Sequence, residues 1–474
     1  MYEHFLKTVN ENINNIAINS EKRIITYGKL NEYVNELAFL LKNIGITNST
    51  CVGLFSLNST LHIISVLALS KIKAKIIFFH PKMTEEEFNK VKFIDPEYII
   101  YDENDTFKID NFIYSTHHIE FLDLYLISYF KYKKHQIEYQ NDIIGDIVFL
   151  SSGSTGYYKV IVKTEKQILT EKKQIISTLD IKKSDKIVCS AQLCHSYGFM
   201  FGMIVPLLTG SEITYTDPII LVSSLEKILK KNTIFVGLPT HYRLLCNYSN
   251  QTFRNIKIAL SGGSNIKSKE QEKIKLLGFK ISNIYGMSET GALMIENNHH
   301  NSLLPTHPYR PITGVEIKLD YSETYNYFDQ FSYEIIVKTD SLCSYIIDNG
   351  ITKKNHFGQW FPTGDLAVKN GGKLHIVGRK DLTINVGGKK INPFEIESVL
   401  KEHPNVNEAV VYGISDIKRG QIPIAIVEVN KKTDLTELFD LCHKKLSEYK
   451  IPKRIEIKDY LPTSSIGKTL RKLN

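Results

Sequence analysis

The segment Ser151-Ser152-Gly153-Ser154-Thr155-Gly156-Tyr157-Tyr158-Lys159 follows directly on the apolar run Ile147–Leu150. Its small residues let the backbone curl until several N–H groups point at one spot. The hydroxyls and the lysine add donors and positive charge there, so the loop suits a polyphosphate. It is not a Walker A loop, which places a glycine directly before the lysine; here that position is Tyr158. Further along come Ser261-Gly262-Gly263-Ser264, after the run Ile256–Leu260, and Asn283-Ile284-Tyr285-Gly286-Met287-Ser288-Glu289-Thr290. Thr363-Gly364-Asp365, Gly378-Arg379-Lys380-Asp381, Gly387-Gly388-Lys389-Lys390-Ile391 and Pro462-Thr463-Ser464-Ser465-Ile466-Gly467-Lys468 complete the set. Taken singly, a Gly-Gly pair after a strand is a turn, a Tyr-Gly pair is packing, and a terminal lysine is a solvated charge. The order of the pieces carries the information.

The elements that must position these residues read as βα alternation. Thr26 is placed to cap a helix whose Leu30, Val34, Leu37 and Leu41 share one face, and Gly45 closes it. Short β-rich runs at Cys51–Ser56, Lys75–Phe79, Glu97–Tyr101, Ile147–Leu150, Ile187–Cys189, Glu212–Tyr215, Thr233–Val236 and Ile256–Leu260 alternate with helical stretches. That pattern predicts parallel sheets covered by helices, in two α/β layers. From Gly314 to Val377 alternating strands predict a small antiparallel, β-barrel-like unit. The remainder reads as a small α+β domain. The expected division is 1–379 and 380–474, consistent with a chain of 474 residues being too long for one core.

Composition narrows the function classes. Hydrophobic residues are 42% and charged residues 23%, the balance of a soluble globular protein. The net charge of +8 fits an anionic ligand such as a nucleotide, and no Lys/Arg run is dense enough for a nucleic-acid surface. The six cysteines form no C-x-x-C pair and read as reduced thiols of a cytoplasmic protein. Cys194, beside His195, invites a nucleophile reading that the other motifs do not need. The first residues lack the apolar core of a signal peptide, and Leu61–Leu69 and Phe199–Leu208 are too short to span a bilayer.

Together the motifs resemble the adenylate-forming (AMP-binding) superfamily, which includes acyl-CoA synthetases, nonribosomal adenylation domains and firefly luciferase. The match covers nearly the whole chain. The usual loop reads Thr-Ser-Gly-Ser/Thr-Thr-Gly-x-Pro-Lys-Gly; this chain departs from it at Tyr158 and Val160, and from the terminal signature at Ile466. The resemblance implies that Ser151, Ser152, Gly153, Ser154, Thr155, Gly156 and Lys159 cover the ATP phosphates. Gly262, Gly263 and Ser264 would pack on adenine, as would Tyr285, Gly286 and Met287. Asn283 would pair with the adenine amino edge, Ser288 would reach the α-phosphate, and Glu289 would ligate Mg²⁺. Asp365 and Arg379 would hold the ribose. Asp381 would be the hinge, Gly387 and Gly388 the border of a thiol tunnel, Lys390 part of the nucleotide set, and Lys468 the catalytic lysine.

The implied reaction is ATP- and Mg²⁺-dependent activation of a small carboxylic acid as acyl-AMP, then transfer to coenzyme A or to the phosphopantetheine of an acyl or aryl carrier protein. His195 lies where the family lines its acyl site and is a candidate catalytic or gating residue; a satisfied core histidine is the plain alternative. No acidic residue occurs from His195 to Gly210, which disfavours an α-amino acid and favours an apolar or aromatic one. A luciferase-like oxidase and a non-catalytic acyl- or nucleotide-binding protein are the competing readings. Intact Glu289, Asp365, Arg379 and Lys468 weigh against the second.

Overall fold

The computed structural model describes residues 1–20, 23–56, 59–81, 83–91, 94, 96–102, 113–121, 125–132, 146–152, 158–216, 222–263, 266, 268–296, 308–328, 330–348 and 351–462. Gly153, Ser154, Thr155, Gly156, Ser264 and Lys468 lie outside these residues.

The βα alternation forms two sheets. In the first, Ile147–Ser152, Lys75–Phe78, Cys51–Phe55 and Tyr98–Asp102 run parallel side by side. Their apolar runs are continuous because both faces are covered. An antiparallel hairpin, Ile113–Phe121 and Tyr125–Tyr132, closes one edge. On the other edge Tyr158–Lys163 turns back on Ile147–Ser152, and Tyr345–Asp348 and Ile351–Lys354 join from far along the chain. In the second sheet Glu212–Tyr215, Lys186–Cys189, Ile234–Gly237, Ile258–Ser261 and the start of Ile281–Met287 are parallel neighbours.

The helix Tyr27–Asn43 packs on the helices Ser59–Ile72 and Tyr2–Asn12 and leaves its other face exposed. Thr26 accepts from the Lys29 N–H at 3.2 Å, and Leu30, Val34, Leu37 and Leu41 are buried, the face expected from their spacing. Gly45 takes the left-handed conformation at φ +97° that ends the helix.

The strand Ile281–Met287 changes partners midway. Ile281–Asn283 pairs parallel with Ile258–Ser261, whereas Ile284–Met287 pairs antiparallel with Gly291–Glu296. An antiparallel run continues from there through Tyr309–Pro311, Lys373–Arg379, Phe361–Asn370, Gln330–Lys338 and Glu316–Tyr327. The antiparallel unit therefore begins about thirty residues before Gly314, and no closed barrel forms among the described residues. After Arg379 a short 3-10 turn, Lys380–Leu382, leads into residues with a core of their own, built on Ile384, Ile391, Ile396, Val411, Val427 and Leu438. That core meets the rest where Phe328 packs against it and where Asn326 pairs with Ile391. No helix among the described residues is long and apolar enough to cross a membrane.

One buried group makes the first core sensitive to acid. His62 is 1% exposed, stacks on Phe78 at 5.2 Å, and neither ring nitrogen has a hydrogen-bond partner. Burial pushes its pKa down to about 3. Above pH 6.5 the ring is neutral folded and unfolded alike. As pH falls through 6.5 the unfolded chain takes up a proton that the folded one refuses, and stability drains away until about pH 3. At pH 5 the loss is roughly 2 kcal/mol. His62→Leu is expected to gain melting temperature over wild type by several degrees more at pH 5 than at pH 8. An equal difference at both pH values in thermal melts would contradict this.

Candidate active site

The strands Ile147–Ser152 and Tyr158–Lys163 flank the Ser/Gly-rich segment and pair antiparallel. Ser151 pairs with Lys159 and Ser152 with Tyr158, so the backbone fixes both stems of the loop. Lys159 Nζ lies 3.5 Å from Asp348 Oδ2, on the strand that joins this edge from a distance. Below the hairpin, Lys163 and Glu171 form an ion pair of 2.9 Å with exposures of 1% and 3%. Glu171 Oε1 also accepts the Ala292 N–H at 3.2 Å, which ties the pair to the turn after Glu289.

The partner change in Ile281–Met287 places a row of polar groups at a sheet junction. Tyr285 Oη donates to Asp365 Oδ2 at 2.6 Å. Asp365 and Arg379 face each other across the antiparallel pair, with Arg379 Nη1 3.3 Å from Asp365 Oδ1. Arg379 Nε donates to Asp381 Oδ1 at 2.9 Å. Burial raises the Tyr285 phenol well above its ordinary value, and Asp365 raises it further, so the hydroxyl stays a donor. Asp365 is 9% exposed and is held in place from its own loop, where its N–H donates to Thr363 Oγ1 at 3.1 Å. Glu334 supports the same turn: Oε1 accepts the Gly364 N–H at 3.0 Å and Oε2 takes Lys380 Nζ at 3.1 Å.

Neighbouring residues fill in the rest. Gly262 lies under the Tyr197 ring, where a Cβ would come within 2.7 Å of ring carbons, so only glycine fits. Gly263 follows at φ +87°. Ser288 Oγ is 3.2 Å from Ser196 Oγ, next to His195. Gly286 is exposed and Met287 half-buried, both just after the shift in register of their strand. Asn283 is turned inward: its amide donates to Glu296, and its carbonyl accepts from Ile266 N–H at 3.4 Å. One of its two side-chain N–H donors is therefore engaged with Glu296. Lys390 pairs with Glu323 at 3.1 Å and lies 4.5 Å over the Tyr325 ring, on the C-terminal side of the Asp381 turn. Gly387 and Gly388 form an open turn at φ +58° and +84°, between Ile384–Val386 and Lys389–Ile391.

His195 presents a neutral imidazole. Burial, with His80 beside it, pushes its pKa down to about 4, and its Nε2 is buried without a hydrogen-bond partner. His80 stands 5.6 Å away, ring to ring, and its Nε2 is 2.9 Å from Gln192 Oε1. Cys194 is no nucleophile: burial pushes its thiol up to about 12.

Glu289 is 7% exposed. Burial raises its carboxyl above the ordinary range, against the pull of Lys159, Arg379 and Lys163. A buried carboxylate with that tendency gains from a divalent cation. Among the described residues no three His, Cys, Asp or Glu side chains converge on one point. The donor set suits Mg²⁺, which is commonly held by one or two carboxylates with substrate phosphates and water.

The model of the AMP-binding enzyme matches residues 5–338, and the model of the AMP-binding enzyme C-terminal domain matches residues 395–468. The chain belongs to the AMP-binding enzyme family. Among curated relatives, the 2-succinylbenzoate–CoA ligase of Listeria monocytogenes is 25% identical over 459 residues, covering 94% of this chain and 93% of that one. A long-chain-fatty-acid–CoA ligase of Escherichia coli O157:H7 is 27% identical over 346 residues, 69% of this chain and 61% of that one. Among solved structures, the o-succinylbenzoate CoA synthetase of Bacillus subtilis with its acyl-adenylate intermediate superposes at a TM-score of 0.81, with 22% identity, over 99% of this chain and 96% of that one. An ATP-bound MatB from Rhodopseudomonas palustris gives 0.78 at 17% identity, over 99% and 97%.

Lys163, Glu171, Glu334 and Glu323 belong to none of the sequence motifs, yet all four brace the site. One signal was available. Glu171 falls between Ile168 and Ile175 at helical spacing, so a carboxylate sits on the buried stripe of Glu165–Leu179.

Asp365 is the acceptor on which the Tyr285 hydroxyl depends. Asp365→Ala is expected to cost roughly 1–3 kcal/mol by stranding that hydroxyl. Adding Tyr285→Phe should recover the part of the loss due to the hydroxyl in urea denaturation, leaving the part due to the lost Arg379 pairing. Independent, additive losses would show that the two side chains do not act as a pair.

Proposed function

We propose that this chain activates a carboxylic acid with ATP and passes the acyl group to the thiol of coenzyme A. The observation that carries this is the convergence of Tyr285, Asp365 and Arg379 at the junction of Ile281–Met287, with Glu289 at its end. In the first step a carboxylate oxygen attacks the α-phosphorus. The bond from that phosphorus to the bridging oxygen breaks, and pyrophosphate leaves with the electron pair. In the second step the sulfur attacks the acyl carbon, AMP leaves, and the thiol proton passes to solvent.

Both reactants of the first step are anions, so the site must offset charge and hold them in line. Ser151, Ser152 and Lys159 would face the β- and γ-phosphates, together with Gly153, Ser154, Thr155 and Gly156. Asp365, an acceptor with two oxygens, would take the ribose hydroxyls beside Arg379. Tyr285, with Gly262 and Gly263, would border adenine. Mg²⁺ held on Glu289 would supply charge neutralisation. Lys468 would bridge the carboxylate and phosphate oxygens, a role suited to a mobile point charge. We divide the chain at 379/380, with Asp381 as the pivot that exchanges Lys468 for the Gly387-Gly388 turn between steps.

His195, Tyr197, Phe201 and Met203 would line an apolar acyl side, and no acidic residue occurs from His195 to Gly210. An apolar or aromatic acid fits it. The named relatives act on 2-succinylbenzoate and on long-chain fatty acids, both carboxylic acids. A carrier-protein phosphopantetheine is the second acceptor of the same chemistry. Six free thiols suit the reducing cytoplasm.

Pyrophosphate release with Mg-ATP, across short, long and aromatic carboxylic acids, tests the reading with and without coenzyme A. Release with one acid, accelerated at least tenfold by coenzyme A, is expected. Slow release that coenzyme A leaves unchanged would move the acceptor to a carrier protein. No release from folded protein with any acid would overturn the reading.

A further inference from the structure

Tyr158 opens the strand that leaves the phosphate hairpin, and the chemistry above gives it no task. Its ring is half-buried, and its hydroxyl donates to Glu87 Oε1 at 3.0 Å. Glu87 belongs to the helix Glu85–Val91. Its other oxygen accepts from Thr84 N–H at 2.8 Å and from Thr84 Oγ1 at 3.2 Å, while Glu87 N–H donates to Thr84 Oγ1 at 3.2 Å. This reciprocal cap fixes the carboxylate before Tyr158 reaches it.

The pair is charge-assisted. Burial works to raise the Glu87 carboxyl, but the bonds from Thr84 and Tyr158, with His80 nearby, outweigh it and hold the group below its ordinary range. Burial and Glu87 together raise the Tyr158 phenol. A neutral donor and an ionised acceptor therefore coexist at any working pH, the stronger kind of hydrogen bond.

The segment that carries Glu87 also reaches the other half of the site. At its start His80 touches Gln192 at 2.9 Å and faces His195. On its underside Phe88 packs against Phe55 and Phe79, in one cluster with Val160 and Val162 of the Tyr158 strand. Residues 80–91 thus span from the acyl-side histidines to the stem of the phosphate hairpin, and both ends are held by polar contacts on a rigid apolar base.

We propose that Tyr158 is a positioning residue for the adenylation step, which through Glu87 fixes Lys159 and the hairpin stem relative to His80 and His195. The inference rests on the proposed ATP-dependent activation. It assigns a role at the one position where Tyr158 stands in place of the proline of the loop pattern, and it makes the segment 80–91 a brace between the two substrates.

Tyr158→Phe removes only the hydroxyl. Mg-ATP binding by calorimetry and pyrophosphate release are compared with thioester formation from pre-made acyl-AMP and coenzyme A, using the acid that wild type turns over. Tyr158→Phe is expected to weaken ATP affinity or adenylation kcat/KM by roughly tenfold to a hundredfold, the range of a hydrogen bond to a charged group. Thioester formation and melting temperature should stay near wild type. Glu87→Ala should reproduce the loss, Glu87→Gln, whose single amide oxygen can accept from Thr84 or from Tyr158 but not from both, should fall between wild type and Glu87→Ala, and Tyr158→Phe with Glu87→Ala should be no worse than either alone. Unchanged ATP binding together with unchanged adenylation kcat/KM in Tyr158→Phe, or equal losses in both half-reactions with a lowered melting temperature, would overturn the proposal. Wild type that releases no pyrophosphate with any acid would fail the underlying reading instead, and ATP calorimetry would still decide the brace.

Discussion

Asp365 is the carboxylate around which the site is arranged. It accepts the Tyr285 hydroxyl from one strand and faces Arg379 on its neighbour, and Arg379 in turn binds Asp381. Three segments far apart in the chain are thereby located by one side chain: the bent strand Ile281–Met287, the loop at Gly364, and the turn that leads to the C-terminal core. The arrangement is economical in charge. Arg379 serves two carboxylates, and Glu334, through Lys380 and the Gly364 N–H, holds the same turn from behind. A nucleotide sugar brought here would meet an acceptor already oriented, which limits the reorganisation needed at binding.

The same logic runs beneath the phosphate hairpin. A buried Lys163–Glu171 pair is a weak source of stability, because desolvation of both charges offsets their attraction. Its value is in placement. Glu171 reaches Ala292, next to the turn of Glu289, and Lys163 lies near enough to draw on the Glu289 carboxyl. Cations thus approach Glu289 from three directions while burial resists its ionisation. The balance favours a site completed by a divalent ion and phosphate oxygens over a preformed metal cage.

Local chemistry was legible in the sequence, and long-range pairing was not. Thr26, the apolar stripe of Tyr27–Asn43 and Gly45 define their helix within a few residues, because capping and periodicity act over one turn. The strand Tyr158–Lys163, which turns back on Ile147–Ser152, was not among the β-rich runs read from the sequence. The strands Tyr345–Asp348 and Ile351–Lys354 carry no sign that they extend a sheet begun near residue 51, since nothing local encodes a partner nearly two hundred residues away. The bend in Ile281–Met287 depends on two different neighbours and was equally hidden. Asn283 shows the limit for side chains: the Glu296 carboxylate that its amide meets comes from an adjacent strand, and no local pattern announces it. Tyr158 departs from the loop pattern, and the Glu87 that accepts from it lies 71 residues away in the chain.

The most direct test of the account follows an oxygen atom. A carboxylic acid labelled with heavy oxygen in both carboxyl positions is converted with Mg-ATP and coenzyme A, and the nucleotide and phosphate products are analysed by mass spectrometry. Attack on the α-phosphorus predicts one labelled oxygen in each AMP, with unlabelled pyrophosphate. Label in orthophosphate, with ADP as the nucleotide product, would show activation at the γ-phosphorus and would contradict the assignment of this site to adenylate formation.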